Sequence, residues 1–310
     1  MKKVISVLAV ASLLVAGSAF ASGYRIPEQS IDSTAKVGAN IASATKADTT
    51  YYNPANMSWI DEGWLTEIDL TWIHLASISY EDFRSPLLSG ESEKENFLLP
   101  TFFLVSPEYK NFRFGFSVTA PFGLQKRWND PYPATFAKKF SLQVIELNPT
   151  VSYEFNKYIS IGGGVRALVA KAVARNGGVI DTSTGIFVSR DLEGDWEVDW
   201  GYNLAVAVKP NDDLNLSVTY RSNVDMGLTG DATLQTNYPS PFVFESPGNV
   251  TLPAPAVLAI SGAYTWDRLT VELTWDRTFW SEYEELDIRY SDPIMQPVLA
   301  SVFGPAVTKN

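Results

Sequence analysis

The 310-residue sequence predicts an all-β protein: a transmembrane antiparallel β-barrel whose N-terminal segment lies inside the lumen. Apolar and polar residues alternate with period two in about nine segments, which is the pattern of strands with one apolar face. The connections between these segments alternate between long and short, and Trp and Tyr recur near the segment ends. The composition agrees, with 9 Trp, 14 Tyr, 17 Phe and a mean hydropathy of −0.04.

Residues 1–21 are predicted to be a secretory signal. Lys2 and Lys3 precede a short apolar run, and Ala19-Phe20-Ala21 provides a small-x-small cleavage site. The apolar run is shorter than the roughly 18 residues that a membrane-spanning helix needs. We therefore expect cleavage after Ala21 rather than a membrane anchor, and export of the mature chain.

Charge and cysteine content narrow the possible functions. After cleavage the chain keeps 22 of its 24 Lys and Arg residues, against 35 Asp and Glu residues. Such an acidic chain is a poor partner for nucleic acid, because phosphate binding depends largely on Lys and Arg. The chain has no Cys, which excludes disulfides and thiol-based metal or catalytic sites.

Residues 22–60 are small and polar, show no strand periodicity, and end in a turn-rich stretch at 51–57. Since they precede the first strand, we expect them to fold inside the barrel as a hatch. Residues 61–310 then form the barrel itself.

Nine strands are predicted, of which the longest, 64–80, exceeds the 9 to 11 residues that a tilted membrane strand needs. The predicted strands are 64–80, 97–106, 111–119, 145–155, 158–172, 195–208, 214–221, 255–266 and 269–276. A soluble β-sandwich could show the same alternation. The aromatic residues at the strand ends and the alternating loop lengths favour the membrane barrel.

The predicted long connections are 81–96, 121–140, 173–193 and 229–254, and these should face the cell exterior. Short turns at 106–110, 156–157, 209–213 and 267–268 should face the periplasm. Nine strands are an odd number, and an open barrel would leave unpaired backbone groups in lipid. We therefore expect either a longer natural chain, the favoured interpretation, or completion of the sheet by other chains.

Several motifs together resemble the FadL/TodX family of outer-membrane transporters for long-chain fatty acids and other hydrophobic compounds. The motifs are Tyr52-Asn53-Pro54-Ala55, Val118-Thr119-Ala120-Pro121-Phe122-Gly123-Leu124, Leu147-Asn148-Pro149, residues 216–224 and Leu252-Pro253-Ala254-Pro255. The resemblance implies a 14-stranded barrel in the outer membrane and passive uptake of a hydrophobic ligand. It also implies capture among apolar outer loops and lateral release into the bilayer. The implied opening lies at a kink in the third strand, beside the Asn53-Pro54-Ala55 motif.

The resemblance implies a gating role for Asn53, Pro54 and Ala55. Pro54 fixes φ and lacks a donor, and Asn53 can hydrogen-bond locally, so the motif forms a rigid turn. An ordinary Asn-Pro turn is the alternative. Gly115, on the inward phase of the third strand, is the candidate for the kink; the glycines at 162–164 are the other candidate.

The 121–140 segment should capture the ligand, because it carries apolar residues in a loop facing water. The candidate ligand-binding residues there are Phe122, Leu124, Arg127, Trp128, Phe136, Lys138 and Phe140. The alternative is a loop that packs on itself. Arg166 and Arg221 lie on the inward phase and could bind a fatty-acid carboxylate; pairing with a lumen acid is the alternative.

The sequence argues against an enzyme. His74 is the single histidine, and it falls on the outward, apolar phase of the first strand. A Ser-His hydrolase needs an inward histidine, and no metal-ligand or phosphate-loop motif is present. We expect no cofactor, a hydrophobic small-molecule ligand, contact with outer-membrane lipid and lipopolysaccharide, and a monomer. A diffusion porin for small hydrophilic solutes is the main alternative, and a structural or adhesive barrel is the third.

Overall fold

The computed structural model describes residues 23–61, 63–181, 184–238, 240–283, 285–292, 297 and 308–309. The predicted signal sequence, 1–21, lies outside the described residues. The strands are β1 (Leu65–Leu75), β2 (Ser79–Tyr80), β3 (Gly90–Glu91), β4 (Glu95–Val105), β5 (Phe112–Arg127), β6 (Lys139–Asn156), β7 (Ile159–Asp181), β8 (Ile186–Gly194), β9 (Glu197–Asn211), β10 (Leu214–Arg221), β11 (Val224–Thr236), β12 (Phe242–Ala254), β13 (Val257–Trp266), β14 (Leu269–Thr278), β15 (Glu285–Leu286), β16 (Ile288–Tyr290) and β17 (Thr308–Lys309). The α-helices are α1 (Ile31–Ala35), α2 (Thr49–Tyr52) and α3 (Pro131–Ala137), and 3₁₀ turns span Pro54–Trp59, Pro86–Leu88 and Trp280–Glu282.

Nine long strands form one curved antiparallel wall in the order β1-β4-β5-β6-β7-β9-β10-β13-β14. This confirms the nine strands expected from the alternation. Each wall strand pairs with the wall strand that follows it in the chain, as hairpin connections require. Among the described residues, β1 and β14 each pair with a single neighbour.

The two faces of the wall have the polarity of a membrane barrel. Large apolar side chains point outward and are exposed, while the concave face buries polar side chains. The exposed set includes Ile68, Leu70, Trp72, Phe114, Trp200, Leu204, Leu216, Leu273 and Trp275. The buried polar set includes Arg113, Ser117, Thr119, Glu146, Asn148, Ser160, Arg166, Asn203, Asn215 and Ser217. A water-soluble sandwich would show the reverse, so the outward face suits lipid.

Three of the four predicted long connections are not the loops that we expected. Residues 173–193 and 229–254 are largely strand, because β7 continues past the wall into a sheet with β8, β11 and β12. Residues 121–140 also depart from the prediction, since β5 runs to Arg127 and α3 follows. The backbone N–H and C=O groups of these segments pair with one another beyond the wall. We call this end of the barrel the outer end.

The first predicted strand is shorter than expected. It ends at Leu75, and after a break at 76–78 the chain continues as the short β2–β3 pair at the outer end. His74 is exposed on the outward face as predicted, where it approaches Trp72 and hydrogen-bonds to Asn96. In the described part of the chain, no helix combines the length and hydrophobicity needed to cross a bilayer.

The N-terminal segment, residues 23–60, lies against the concave face and contacts the wall from β1 to β14. Ser30 caps α1 by accepting a hydrogen bond from Ser33, and the β1 carboxylate of Asp69 accepts the Ile31 N–H at 3.1 Å. At the opposite edge, Glu272 of β14 accepts backbone N–H groups of this segment. The wall therefore positions the segment from both of its edge strands.

Candidate functional site

The wall has a lateral window between its second and third strands, β4 and β5. Their ladder contains four residue pairs and ends at Phe102–Val118. Beyond that point β4 stays paired with β1 as far as Glu95, and β5 with β6 as far as Arg127. The two strands approach again only near the outer end, where the Glu93 N–H donates to the Arg127 carbonyl at 2.9 Å. The window is thus roughly 20 Å tall, from about six residues at 3.3 Å each.

A β-bulge forms the β5 edge of this window. The β5–β6 register shifts between Thr119 and Phe122, so Ala120 and Pro121 together face one residue of β6. Pro121 has no N–H, which is compatible with an unpaired strand edge. The irregularity therefore lies at Ala120-Pro121. The expectation of a kink at Gly115 is wrong, because the ladders on both sides of Gly115 are regular.

The bulge also reverses the direction of Phe122. Odd-numbered residues of β5 point inward before the bulge, whereas Phe122 pairs with the inward-facing Val144 after it. Phe122 is consequently 3% exposed and packs with Leu142, Val144 and Leu168. The expectation that Phe122 is exposed in an outer loop is therefore wrong.

Residues 24–29, here called the arm, lie along the part of β5 that is not paired with β4. The Gly123 N–H donates to the Tyr24 carbonyl at 2.9 Å, and the Ile26 N–H donates to the Pro121 carbonyl at 2.8 Å. The Gln29 side chain, which is 1% exposed, pairs with both backbone groups of Ala120: its Oε1 accepts at 2.7 Å and its Nε2 donates at 3.1 Å. Polar backbone at this depth needs such partners, so the arm satisfies the β5 edge.

Burial keeps the tyrosine hydroxyls of the N-terminal segment protonated. Desolvation raises the pKa of Tyr24, Tyr51 and Tyr52 above the usual tyrosine value. The Tyr52 hydroxyl donates to the Pro27 carbonyl at 2.9 Å and accepts the Gln29 N–H at 2.7 Å. These contacts join the arm to helix α2.

A second part of the segment, residues 41–59, is called the body. Asn53 donates to the Ile41 carbonyl at 2.9 Å and to Ser217 of β10 at 3.0 Å, and the Ser160 hydroxyl of β7 donates to the Ala55 carbonyl at 2.6 Å. The Asn53-Pro54-Ala55 turn thus docks on β7 and β10, and Ala55 packs against alanines of β9. We expected this motif to lie beside the third strand, β5. Its hydrogen bonds to the wall are instead with β7 and β10.

Two glycines provide the space for the body. A Cβ at Gly115 would lie 2.5 Å from the Thr50 methyl and 2.6 Å from the Met57 sulfur. A Cβ at Gly162 would lie 2.5 Å from both Ala55 N and Pro54 C, which are backbone atoms. Gly115 therefore accommodates side chains and Gly162 accommodates the turn itself.

Gly162→Ala should lower the free energy of unfolding by about 1–3 kcal/mol, the usual cost of overpacking. The backbone of Pro54 and Ala55 cannot rotate away from the new methyl group. Urea unfolding of the reconstituted protein, followed by Trp fluorescence, measures the change. Gly227→Ala is the matched control, because a Cβ there meets nothing within 4 Å. Equal unfolding midpoints for the two variants would show that the turn does not press on the wall.

A buried charge cluster lies beside the body on the concave face. Glu146 of β6 accepts hydrogen bonds from Arg166 at 3.0 and 2.8 Å and is also contacted by Arg221. The third Arg166 contact is the Ser222 carbonyl, at 2.7 Å. Arg221 donates to the Tyr51 carbonyl and lies over the Tyr51 ring, with its guanidinium carbon 4.2 Å from the ring centroid. The cluster therefore links the wall to helix α2.

A cavity of about 1070 Å³ lies between the arm, the body and the wall. Its lining combines apolar rings with the two arginines of the charge cluster. The lining residues include Arg25, Tyr51, Phe122, Arg166, Arg221 and Trp280. Typical ligand pockets have volumes of about 300–1,000 Å³. Arg166 thus borders the cavity, but Glu146 and the Ser222 carbonyl already bind its guanidinium.

A second, smaller cavity forms an apolar groove of about 180 Å³ at the outer end. It lies between α3 and the sheet formed by β7, β8, β11 and β12, here called the outer sheet. Its lining includes Phe136, Phe140, Leu192, Leu228, Val250 and Ile288. Two predicted ligand-binding residues, Phe136 and Phe140, therefore meet here, and Phe136 is 65% exposed.

The other predicted residues lie along the β5 edge of the window and at its outer end. Leu124 is 45% exposed on β5, and Arg127 ends that strand. The Trp128 N–H donates to the Lys138 carbonyl at 2.9 Å, so these two residues frame α3. The structure thus separates the predicted set into the groove, the cavity and this edge.

Three contact residues were missed by sequence reasoning: Arg25, Gln29 and Glu272. Arg25 forms an ion pair with Asp276 of β14 at 2.5 Å. Each is one polar residue among many in its stretch, and only the inward phase of Glu272 marked it as a lumen residue. No group of three or more His, Asp or Glu residues suited to a metal ion occurs in the described part of the chain.

The apolar outer face, the polar lumen face and the internal N-terminal segment define a membrane β-barrel protein. The chain belongs to the outer membrane protein transport protein family (OMPP1/FadL/TodX), whose sequence profile matches residues 12–300.

Relatives are similar to the chain in sequence, and solved structures are similar to it in fold. Outer membrane protein P1 of Haemophilus influenzae is 27% identical over 93% of this chain and 72% of the relative. A long-chain fatty acid transport protein of Escherichia coli is 25% identical over 91% of this chain and 71% of the relative. The fold is similar to that of a Pseudomonas aeruginosa FadL homologue, with a TM-score of 0.71, 18% identity and coverage of 87% and 72%. It also resembles the Pseudomonas putida toluene transporter TodX, with a TM-score of 0.62, 15% identity and coverage of 82% and 71%.

Proposed function

We propose that the chain mediates passive uptake of hydrophobic molecules, such as long-chain fatty acids or aromatic hydrocarbons, across the outer membrane. The ligand is captured in the apolar groove at the outer end and moves into the larger cavity. It leaves sideways through the window between β4 and β5 into the bilayer. The N-terminal segment acts as a hatch that closes the lumen to water.

The window is the observation that carries this proposal. A wall that needed only to enclose an aqueous pore would keep its β4–β5 ladder, since unpaired backbone in lipid costs several kcal/mol per group. Here the ladder ends after four pairs, and the arm, which belongs to the hatch, satisfies the free β5 edge. An edge satisfied by a separate short segment can be uncovered by moving that segment alone.

The charge cluster suggests how a carboxylate ligand is accommodated. Three of the Arg166 nitrogens are engaged by Glu146 and Ser222, so Arg166 is a weak candidate for direct ligand contact. Arg221 has fewer partners and also borders the cavity. We assign any carboxylate contact to Arg221, and an uncharged hydrocarbon would need neither arginine.

Uptake of a radiolabelled long-chain fatty acid or of toluene, by cells that lack their own transporter and express the protein, tests the function. We expect uptake well above that of cells with an empty vector. Single-channel recording provides the second measurement. Large steady currents without hydrophobic uptake would identify a diffusion porin and overturn the proposal.

Phe136→Asp should raise the half-saturating ligand concentration about tenfold and leave the maximal rate unchanged. The substitution places a charge in the groove and removes part of the roughly 1.5–3 kcal/mol that burying a Phe side chain provides. Phe83→Asp is the control, because Phe83 is fully exposed and lies outside the groove. Equal half-saturating concentrations for the two variants would argue against capture in the groove.

A further inference from the structure

The carboxylate of Glu272 binds three consecutive backbone N–H groups of the hatch body. The Ile41 and Ala42 N–H groups donate to Oε1 at 2.8 and 3.0 Å, and the Ser43 N–H donates to Oε2 at 2.9 Å. Converging N–H groups of this kind form an anion-binding concavity, and hydrogen bonds to a carboxylate are about twice as strong as neutral ones. The Glu272 side chain of the wall thus binds the hatch loop that contains residues 41–43.

The wall itself orients this carboxylate. The Ser261 hydroxyl of β13 donates to Glu272 Oε1 at 2.7 Å, and the Thr274 hydroxyl donates to it at 2.9 Å. Glu272 therefore receives five hydrogen bonds, three from the hatch and two from the wall. Its geometry is fixed on both sides, as a positioning group requires.

The carbonyls of the same hatch loop hold the Asn53-Pro54-Ala55 turn. Asn53 donates to the Ile41 carbonyl, and Asn56 donates to the Ile41, Ala42 and Ala44 carbonyls at 3.0–3.2 Å. The loop therefore connects Glu272, through hydrogen bonds, to the turn that docks on β7 and β10. Glu272 lies on β14, so the contacts reach across the concave face from one edge of the wall to its middle.

We propose that Glu272 is the positioning residue that keeps the hatch body docked and so closes the lumen to water-soluble solutes. The arm can then leave the window while the body stays in place. This proposal rests on the proposed function only in treating residues 23–60 as a hatch. It separates two tasks: the arm controls hydrophobic release, and Glu272 excludes hydrophilic solutes.

Glu272→Gln tests the proposal, because it keeps the side-chain volume and removes the charge. We expect the mean ionic current in planar bilayers to rise at least tenfold, while hydrophobic uptake changes less than twofold. Glu272→Asp keeps the carboxylate and should give a smaller rise. Glu245→Gln, at an exposed position of β12, should leave the current unchanged. A current in Glu272→Gln equal to that of the unmodified protein would overturn the proposal.

A disulfide between body and wall separates undocking of the hatch from a defect in the wall. The Ser58 and Ser160 hydroxyl oxygens are 2.9 Å apart, and the chain has no native cysteine. In a Ser58→Cys/Ser160→Cys/Glu272→Gln protein, oxidation should abolish the extra current and reduction should restore it. Persistence of the extra current after oxidation would overturn the proposal. If Glu272→Gln does not assemble, Glu272→Asp is compared in the same disulfide background.

The two proposals fail in distinguishable ways. A lack of hydrophobic uptake by the unmodified protein would contradict the proposed function, and it would leave the current measurements on Glu272 unaffected. A normal current in Glu272→Gln together with normal uptake would contradict only the role of Glu272.

Discussion

A disulfide between the arm and β5 is expected to abolish hydrophobic uptake. Arg25 and Phe122 form an isolated antiparallel bridge, and the hydrogen bonds beside it involve Tyr24 with Gly123 and Ile26 with Pro121. Arg25 and Phe122 are therefore a non-hydrogen-bonded pair, whose side chains lie close together. This arrangement suits a disulfide. In oxidised Arg25→Cys/Phe122→Cys protein the arm cannot leave the window, so uptake should fall at least tenfold.

Reduction should restore uptake to the level of the two single-cysteine variants, which account for loss of the native side chains. The matched control is the Ser58→Cys/Ser160→Cys disulfide, which fixes the body rather than the arm and should leave uptake within twofold of normal. Uptake by the oxidised arm variant equal to that of its reduced form would show that the arm does not control release. Loss of uptake in the body variant alone would indicate movement of the whole hatch.

Glu146→Gln is expected to lower the free energy of unfolding by about 3–5 kcal/mol. Glu146 and Arg166 are at most 1% exposed, so removal of the carboxylate charge leaves two buried guanidinium groups without compensation. Breaking a buried ion pair from one side usually costs this much, because the remaining charge cannot reach water. Urea unfolding of the reconstituted protein measures the difference.

Glu193→Gln is the control for the same chemical change at a largely exposed ion pair. Glu193 pairs with Arg175 at 2.9 Å, and its side chain is 54% exposed. Exposed pairs contribute at most about 1 kcal/mol. A loss of stability in Glu146→Gln no larger than in Glu193→Gln would show that the buried cluster does not hold the wall and hatch together.

The nine wall strands were predictable because lipid and lumen impose opposite polarity on alternate residues. Trp72 and Phe114 point outward for this reason, and Glu146 and Arg166 point inward. The outer sheet was not predicted, although its strand β11 also alternates buried apolar residues with mostly exposed ones from Val224 to Gln235. Its partner strand β12 contains Pro247, Gly248 and Pro253, and Pro and Gly are depleted in strands.

The position of the hatch before the first strand was predictable, but its contacts were not. Gln29 acts through the backbone of Ala120, whose N–H and carbonyl have no strand partner because the β4–β5 ladder ends at Val118, just before the β5 bulge. No side-chain pattern encodes that bulge, apart from Pro121. The same register shift turned Phe122 from an expected surface residue into a buried one.

Contacts between distant parts of the chain were the least predictable feature. Glu272 and Ile41 are 231 residues apart, and the alternation of β14 indicates only that Glu272 faces inward. Two of the predicted ligand residues, Phe136 and Phe140, line the apolar groove. Their separation from Phe122 follows from the fold of β5 and α3, which the sequence was expected to leave as one loop.

Photocrosslinking with a diazirine-bearing long-chain fatty acid tests the lateral route most directly. The protein is labelled in outer-membrane vesicles during uptake, and the labelled residues are mapped by mass spectrometry. We expect labels in the groove, in the cavity around Phe122, and on both edges of the window, at 96–101 and 119–124. Oxidation of the Arg25→Cys/Phe122→Cys variant should remove the labels on the β4 edge of the window. Labels confined to the lumen, with none at either window edge, would contradict lateral release.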